Sequence, residues 1–251
     1  MTTAVPDART EFAGRTCTAP AARSDRMRDI VVAHVPADRA IRLLDLGAGT
    51  GSLVFRLAEA LPSATLIGID VSEANVRAAV AQQAARSDTA RVRFELANYF
   101  DFAAQPFDAI VSDGVLHLIP GDTSTLIAKL AHDVSPGGQV ICSMPYDCLY
   151  NRLMTMLRRV LRRWRSPWLD ALILRAARAL HGREMDDAGL EERVIYMYLV
   201  PERVMTARLM ACFAGAGLRR TAEYPMTSTS PSQLRHRVTV FVRDAVATTA
   251  A

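Results

Sequence analysis

Three glycines, Gly47, Gly49 and Gly51, stand in the run LLDLGAGTGSL between an apolar stretch and a helical one. Glycine lets a backbone approach a ligand closely, and a helix N-terminus offers unpaired N–H groups to a negative group. This points to nucleotide binding. A dinucleotide fingerprint, G-x-G-x-x-G, would need its third glycine at position 52, which is Ser52. The spacing here is G-x-G-x-G, with Ala48 inside it and Asp45 before it. Asp70 and Val71 lie in GIDVS, where a second strand ends. A carboxylate at a strand end faces the crevice and can accept both hydroxyls of a ribose. His117, in SDGVLHL, lies just beyond the fourth strand. An imidazole titrating near pH 6.5 can take a proton from a hydroxyl, an acid or a ring nitrogen; the alternative is a histidine that only packs against ligand or helix. Asp113 caps the following helix or contacts the ligand. Cys17, Cys142, Cys148 and Cys212 form no C-x-x-C pair and have no histidine cluster beside them, so neither a zinc site nor a disulfide framework is expected.

The elements that must hold these residues alternate along the chain. MRDIVVAHV reads as a helix, then 42–46 as a buried strand, 53–61 as a helix stopped by Pro62, and 65–70 as a strand. Ser72 caps a helix over 73–85. Strands follow at 92–96 and 107–112, a helix at 122–133, a turn at Pro136-Gly137-Gly138 and a strand at 139–144. The alternation breaks over 146–200, which is mostly helical in period apart from a strand-like VIYMYL at 194–199. It resumes with a helix at 202–214 and strands at 218–224 and 237–242. The expected fold is α/β: a doubly wound, mostly parallel seven-stranded sheet with an antiparallel C-terminal hairpin and a helical lid insertion. Its expected divisions are a loose arm over 1–22, a Rossmann-like domain over 23–145 and 201–243, and the lid over 146–200.

The G-x-G-x-G loop behind Asp45 resembles the first motif of the class I S-adenosylmethionine-dependent methyltransferases. The resemblance runs from about residue 25 to 145 and resumes over 200–243. FDAIVSDGVLHLI resembles the family's fourth motif, and Val134 to Gly138 the turn before its fifth strand. The resemblance implies that S-adenosylmethionine is the cofactor and S-adenosylhomocysteine the product. It implies that Asn98 and Tyr99 read the adenine amino group and cover its face, although Asn98 also suits an Asx turn. Asp45 then orients the glycine loop or meets the ammonium end of the cofactor, and Ser112 and Asp113 border the same site. No metal is implied.

Methyl transfer from a sulfonium needs an in-line nucleophile and a site that excludes water. The fourth strand ends SDGVLH, without the Asn/Asp-Pro-Pro-aromatic tetrapeptide of amino-group nucleic-acid methyltransferases, and no RNA-binding module is visible. The expectation is therefore a methyltransferase acting on an oxygen or nitrogen of a small molecule in bacterial secondary metabolism. The alternatives are an RNA or tRNA methyltransferase and a non-catalytic cofactor-binding subunit. Tyr146 and Tyr150 begin the insertion and are expected to contact substrate. His132, His181 and His236 carry little weight. The net charge of +4 is uneven: nine arginines and one acid, Asp170, fall between Tyr150 and Arg183. On a helix, Arg158, Arg162 and Arg165 share a face with Arg159 and Arg163 beside it, opposite Leu153, Met154, Leu157, Val160, Leu161 and Trp164. The expectation is that the apolar side walls the pocket and the arginines meet an acidic substrate or acidic carrier protein, in preference to nucleic acid. No signal peptide and no stable membrane anchor are expected, which suggests a cytoplasmic monomer or homodimer.

Overall fold

Each short apolar run becomes a strand because helices cover both faces of the sheet it joins. A computed structural model describes residues 11, 14–16, 19–86, 90–181, 187–226 and 233–245. In chain order these form α1 (Ala21–His34), β1 (Arg42–Leu46), α2 (Ser52–Ala60), β2 (Thr65–Asp70), α3 (Glu73–Ala84), β3 (Val92–Leu96), β4 (Phe107–Asp113), α4 (Thr123–Asp133) and β5 (Val134–Pro145). Then come α5 (Leu149–Arg163), α6 (Pro167–His181), α7 (Asp187–Tyr196), α8 (Ala207–Gly215), β6 (Leu218–Met226) and β7 (His236–Arg243).

The seven strands run in the order β3-β2-β1-β4-β5-β7-β6. The first five pair in parallel, while β7 is antiparallel to both β5 and β6. This is the doubly wound sheet with an antiparallel C-terminal hairpin that the sequence pattern predicts. On one face, Met27, Ile30 and Val31 of α1 and Leu53, Val54 and Leu57 of α2 pack on Leu43, Leu66 and Val111. On the other, Leu126, Ile127 and Leu130 of α4 and Leu209 and Phe213 of α8 pack on Leu44, Ile110 and Phe241. Strand order reverses between β1 and β4, so a crevice opens at their C-terminal ends.

The helical insertion has a small core of its own. Val194, Ile195, Tyr198 and Leu199 are buried against Leu161, Leu169, Ile173 and Leu174, and Leu118 joins them from the loop after β4. Its base is pinned: the Met205 amide donates to Pro145 at 2.8 Å and the Asp147 amide to Met205 at 3.1 Å. Asn151 donates to the carbonyls of Tyr146 and Arg235 and accepts the Arg235 amide, at 2.7, 2.8 and 2.8 Å.

The structure corrects several boundaries. VIYMYL is no strand, because α7 runs to Tyr196 and two turn residues follow. The helix expected from 202 begins at Ala207, because the Thr206 hydroxyl accepts the Leu209 amide at 3.2 Å and caps it there. β5 takes in the Pro136-Gly138 segment and starts at Val134. Most of the expected loose arm lies outside the described residues; within them, Glu11 is tied to Arg165 at 2.6 Å, and α1 begins at Ala21.

Candidate functional site

Parallel pairing sets the site. Asp45, opposite Val111, sits near the C-terminal end of β1, and Asp70 and Asp113 close β2 and β4. Three carboxylates thus gather at one edge of the sheet, around a cavity of about 670 Å³. That size lies within the range of about 300–1,000 Å³ usual for small-ligand and cofactor sites.

One end of the cavity is built by the glycine loop. Gly47 and Gly49 have φ of +83° and +54°. A Cβ on Gly47 would stand 2.3 Å from a Val115 methyl, so no larger residue fits. Gly51, at φ +85°, is not among the described residues lining the cavity; a Cβ there would meet the Phe94 and Phe55 rings at 2.7 and 2.9 Å. Its smallness serves helix–sheet packing. Asp70 Oδ2 accepts the Gly49 amide at 2.8 Å, and Oδ1 accepts the Ser72 amide at 2.8 Å and Asn75 Nδ2 at 3.2 Å. The sequence reading expects this carboxylate to accept ribose hydroxyls. Three donors from its own chain also hold it, and it retains acceptor capacity on the cavity wall for a hydroxyl. Val71, Asn98 and Tyr99 line the same end. Asn98 Oδ1 accepts the Phe100 amide at 3.1 Å, which is the Asx turn, and the buried Tyr99 ring packs under Lys129 Nζ.

Asp45 lines the cavity at 2% exposure. Burial first, and then the neighbouring Asp113 and Asp70 charges, push its pKa up to about 8. A cationic group of a ligand would relieve that penalty. Ser112 is buried just behind, with its hydroxyl on the Leu46 carbonyl at 3.1 Å, and is not among the described lining residues. The donors fit an adenosyl group with a cationic tail: narrow glycine backbone, a carboxylate on the cavity wall with room to accept a hydroxyl, and a buried acid that favours a positive neighbour.

The far end is built from segments distant in sequence. Asp113 does not cap a helix; Arg23 of α1 grips it with two nitrogens, Nε at 2.8 Å and Nη2 at 2.5 Å. Arg23 Nη2 also reaches Ser143 Oγ at 2.9 Å and His236 Nδ1 at 3.4 Å. Arginine can only donate, so His236 Nδ1 accepts and its ring proton resides on Nε2. The His117 and His236 rings meet edge to face at 5.1 Å. His117 is 5% exposed, and its Nδ1 has no hydrogen-bond partner among the described residues. Burial, then the charges of Arg158, Arg23 and Arg203, bring its pKa down to about 3, and burial likewise holds His236 well below the usual histidine range. His117 is therefore a neutral imidazole at working pH, which suits orienting an acceptor better than removing a strongly held proton.

Arg23, His236 and Arg203 carry weight that the sequence reading did not give them, whereas Arg158 belongs to the cluster expected to meet an acidic substrate. Arg158 of α5 is 5% exposed, lines the cavity, and donates to the Leu199 carbonyl at 3.1 Å; burial pushes its pKa down to about 10. Arg203 donates to the carbonyls of Leu116, Ile119 and Gly121 at 2.6, 2.8 and 3.0 Å, which fixes the loop that carries His117. Tyr146 and Tyr150 are not among the described lining residues. They stack instead under Arg237 and Arg235, with the guanidinium carbons 4.3 and 4.7 Å from the ring centres. Among the described residues no group of histidines, cysteines or acids could hold a metal, and no helix is long and apolar enough to cross a membrane.

The arginine cluster is not arranged as expected. Arg158 faces inward, and Arg165, paired with Glu11 and Asp170, is also largely covered. The outer face carries Leu153, Leu157, Val160 and Trp164. Of the side expected to wall the pocket, these four face solvent, while Leu161 packs into the insertion's own core.

Comparison with known proteins agrees with this geometry. Residues 37–166 match the family described as "Methyltransferase domain". The chain is 34% identical over 161 residues to the trans-aconitate 2-methyltransferase of Azoarcus sp. (strain BH72), covering 63% of this chain and 57% of that one. It is 34% identical over 136 residues to the protein of that name from Deinococcus radiodurans, covering 53% and 50%. The chain thus spans about half the length of the curated relatives it matches. Among solved structures, magnesium protoporphyrin IX methyltransferase from Synechocystis PCC 6803 with bound SAH superposes with a TM-score of 0.59 at 17% identity, covering 95% of this chain and 93% of that one. N-methyltransferase NodS from Bradyrhizobium japonicum WM9 gives 0.56 at 15%, covering 89% and 97%. At such identities these two share the fold.

Proposed function

The chain belongs to the methyltransferase-domain family, and from that premise we propose that it transfers a methyl group from S-adenosylmethionine to an oxygen or nitrogen of a small acidic molecule. The cofactor, when bound, supplies a methyl group activated on a sulfonium. The protein's part is to bind, orient and exclude water. Gly47 and Gly49 admit the cofactor's backbone-hugging end, Asp70 offers an acceptor to a ribose hydroxyl, and Asp45 meets a positive group.

The observation that carries the acidic acceptor is Arg158. A guanidinium at 5% exposure on the wall of the cavity, with its pKa lowered by burial, gains from an anionic neighbour. His117, neutral beside it, offers a nitrogen to orient the attacking group. The curated relatives are named for trans-aconitate, a carboxylic acid, which supports the same reading.

The test is a panel of small carboxylic acids, trans-aconitate among them, against their amides, with release of S-adenosylhomocysteine as the readout. Acids should turn over and amides should not. Arg158→Gln should raise the acceptor KM by roughly ten- to a hundredfold, the worth of one charge-assisted hydrogen bond, and leave cofactor affinity unchanged. Calorimetry should show binding of S-adenosylmethionine and none of NAD. Preference for neutral acceptors, or a silent Arg158→Gln, contradicts the reading.

A further inference from the structure

The outer face of α5 and the start of α6 form an apolar stripe that nothing in the described chain covers. Leu149, Leu153, Met156, Leu157, Val160 and Trp164 are 72, 53, 60, 43, 52 and 71% exposed, and Trp168 and Leu172 extend the surface at 73 and 48%. At 3.6 residues per turn, the first six fall within an arc of about 100°. Arg163, Arg152 and Arg159 run along one border of that arc, and Arg158 and Asn151 lie on the opposite, buried side. The helix LYNRLMTMLRRVLRR contains no acid. Among the described residues, Arg159, Arg162 and Arg163 are exposed with no ion pair shown, whereas Arg152 is paired with Asp147 at 2.6 Å.

A soluble surface rarely leaves so many large apolar side chains contiguous. We propose that this face docks reversibly on an anionic membrane surface. The occupant follows from charge complementarity. Arginines beside an apolar stripe suit an interface in which aliphatic and indole groups enter the headgroup boundary while guanidinium groups meet lipid phosphates. Tryptophan prefers that boundary, and both tryptophans of the chain lie on this face. One such helix gives reversible attachment without a spanning segment. The same helix presents Arg158 to the cavity from its inner side, so docking would put the acceptor end of the site one helix thickness from the lipid. The inference does not rest on the methyl-transfer reading, because its readout is attachment and not turnover.

The experiment mixes the full chain with vesicles of phosphatidylcholine alone or of phosphatidylcholine with phosphatidylglycerol, and reads sedimentation and tryptophan fluorescence. Co-sedimentation with the anionic vesicles only, weakened by salt and accompanied by a blue shift of the emission, is the expected result. Because Trp164 and Trp168 are the only tryptophans, the shift reports on this face without a mutation. The double variant Arg159→Gln, Arg163→Gln, at the two arginines that border the stripe without an ion pair among the described residues, should weaken partitioning roughly twenty-five-fold, at roughly fivefold per arginine, with the thermal unfolding curve unchanged. A second variant, Trp164→Ser with Trp168→Ser, should weaken it at least about tenfold. No co-sedimentation with anionic vesicles overturns the proposal, and so does attachment that neither variant alters. If sedimentation velocity instead shows a dimer that the tryptophan variant splits, with no vesicle binding, a second copy of the chain covers this face and the proposal fails.

Discussion

Asp45 is a carboxyl whose environment strongly alters its chemistry. Its carboxyl is buried beside two other acids, which raises its pKa to about 8, whereas an unfolded chain would give about 3.9. The folded state therefore holds a proton that the unfolded state releases as pH rises from about 4. The corresponding stability is fully present below pH 4 and is lost progressively until the folded group itself ionises near pH 8. Asp45→Asn removes this dependence. The melting temperature of the ligand-free protein, minus that of the variant, should fall steadily between pH 5 and 8 and level off above. A constant difference would show that Asp45 titrates as an ordinary carboxyl. This residue and Asp70 were legible in the sequence because a carboxylate at the end of a parallel strand has one place to go. Arg23 and His236 were not: Arg23 reaches Asp113 and His236 across 90 and 213 residues of chain. No local period records such a meeting.

Among the elements, the loop from Leu116 to Gly121 decides where His117 stands. Its carbonyls would be left facing a buried space were it not for Arg203, which gives one guanidinium to three of them. Arg203→Met fits much of the volume and supplies no donor. It should lower stability to urea by on the order of 3 kcal/mol, the cost of leaving buried polar groups unpaired. It should also reduce turnover through the acceptor KM, since the loop carries His117 and not the glycine end. Unchanged urea stability would show that water replaces the guanidinium easily. The strands of the core could be read from their apolar runs, since burial on both faces leaves few alternatives. Helix α5 shows where such reading stops. Its period was plain and gave an arginine side and an aliphatic side, but a period fixes only the angle between them. Burying the apolar side is the usual outcome. Here Arg158 turns inward to the cavity wall and Asn151 to the backbone of Tyr146 and Arg235, and the aliphatic groups turn out.

At the scale of the whole molecule, two bodies of packing meet. The sheet has continuous apolar layers on both faces, while the insertion has its own cluster and is joined to the rest through Leu118, the pinned segments around Tyr146 and Met205, and polar contacts of Tyr150, Asn151 and Arg165. Every described residue lining the glycine end of the cavity comes from the sheet, its loops or helices α1 to α3; Arg158, Tyr196 and Leu199 bring the insertion to the other end. Folding of the sheet should therefore not depend on the insertion, whereas acceptor binding should. Excising residues 153–199 and joining the ends with a flexible Gly-Ser linker keeps Asn151 on the Arg235 backbone and Arg203 on its loop. The shortened protein should unfold cooperatively, bind S-adenosylmethionine with affinity within a few-fold of the parent, and transfer no methyl group to any acid that the parent accepts. It should also lose attachment to anionic vesicles, because the exposed face leaves with α5. Calorimetry, product release and vesicle sedimentation read the three properties separately. If excision abolishes cofactor binding along with turnover, the insertion is part of the core and not a cover for the acceptor. If turnover survives, the acceptor is held by the sheet alone, and Arg158 has no part in choosing it.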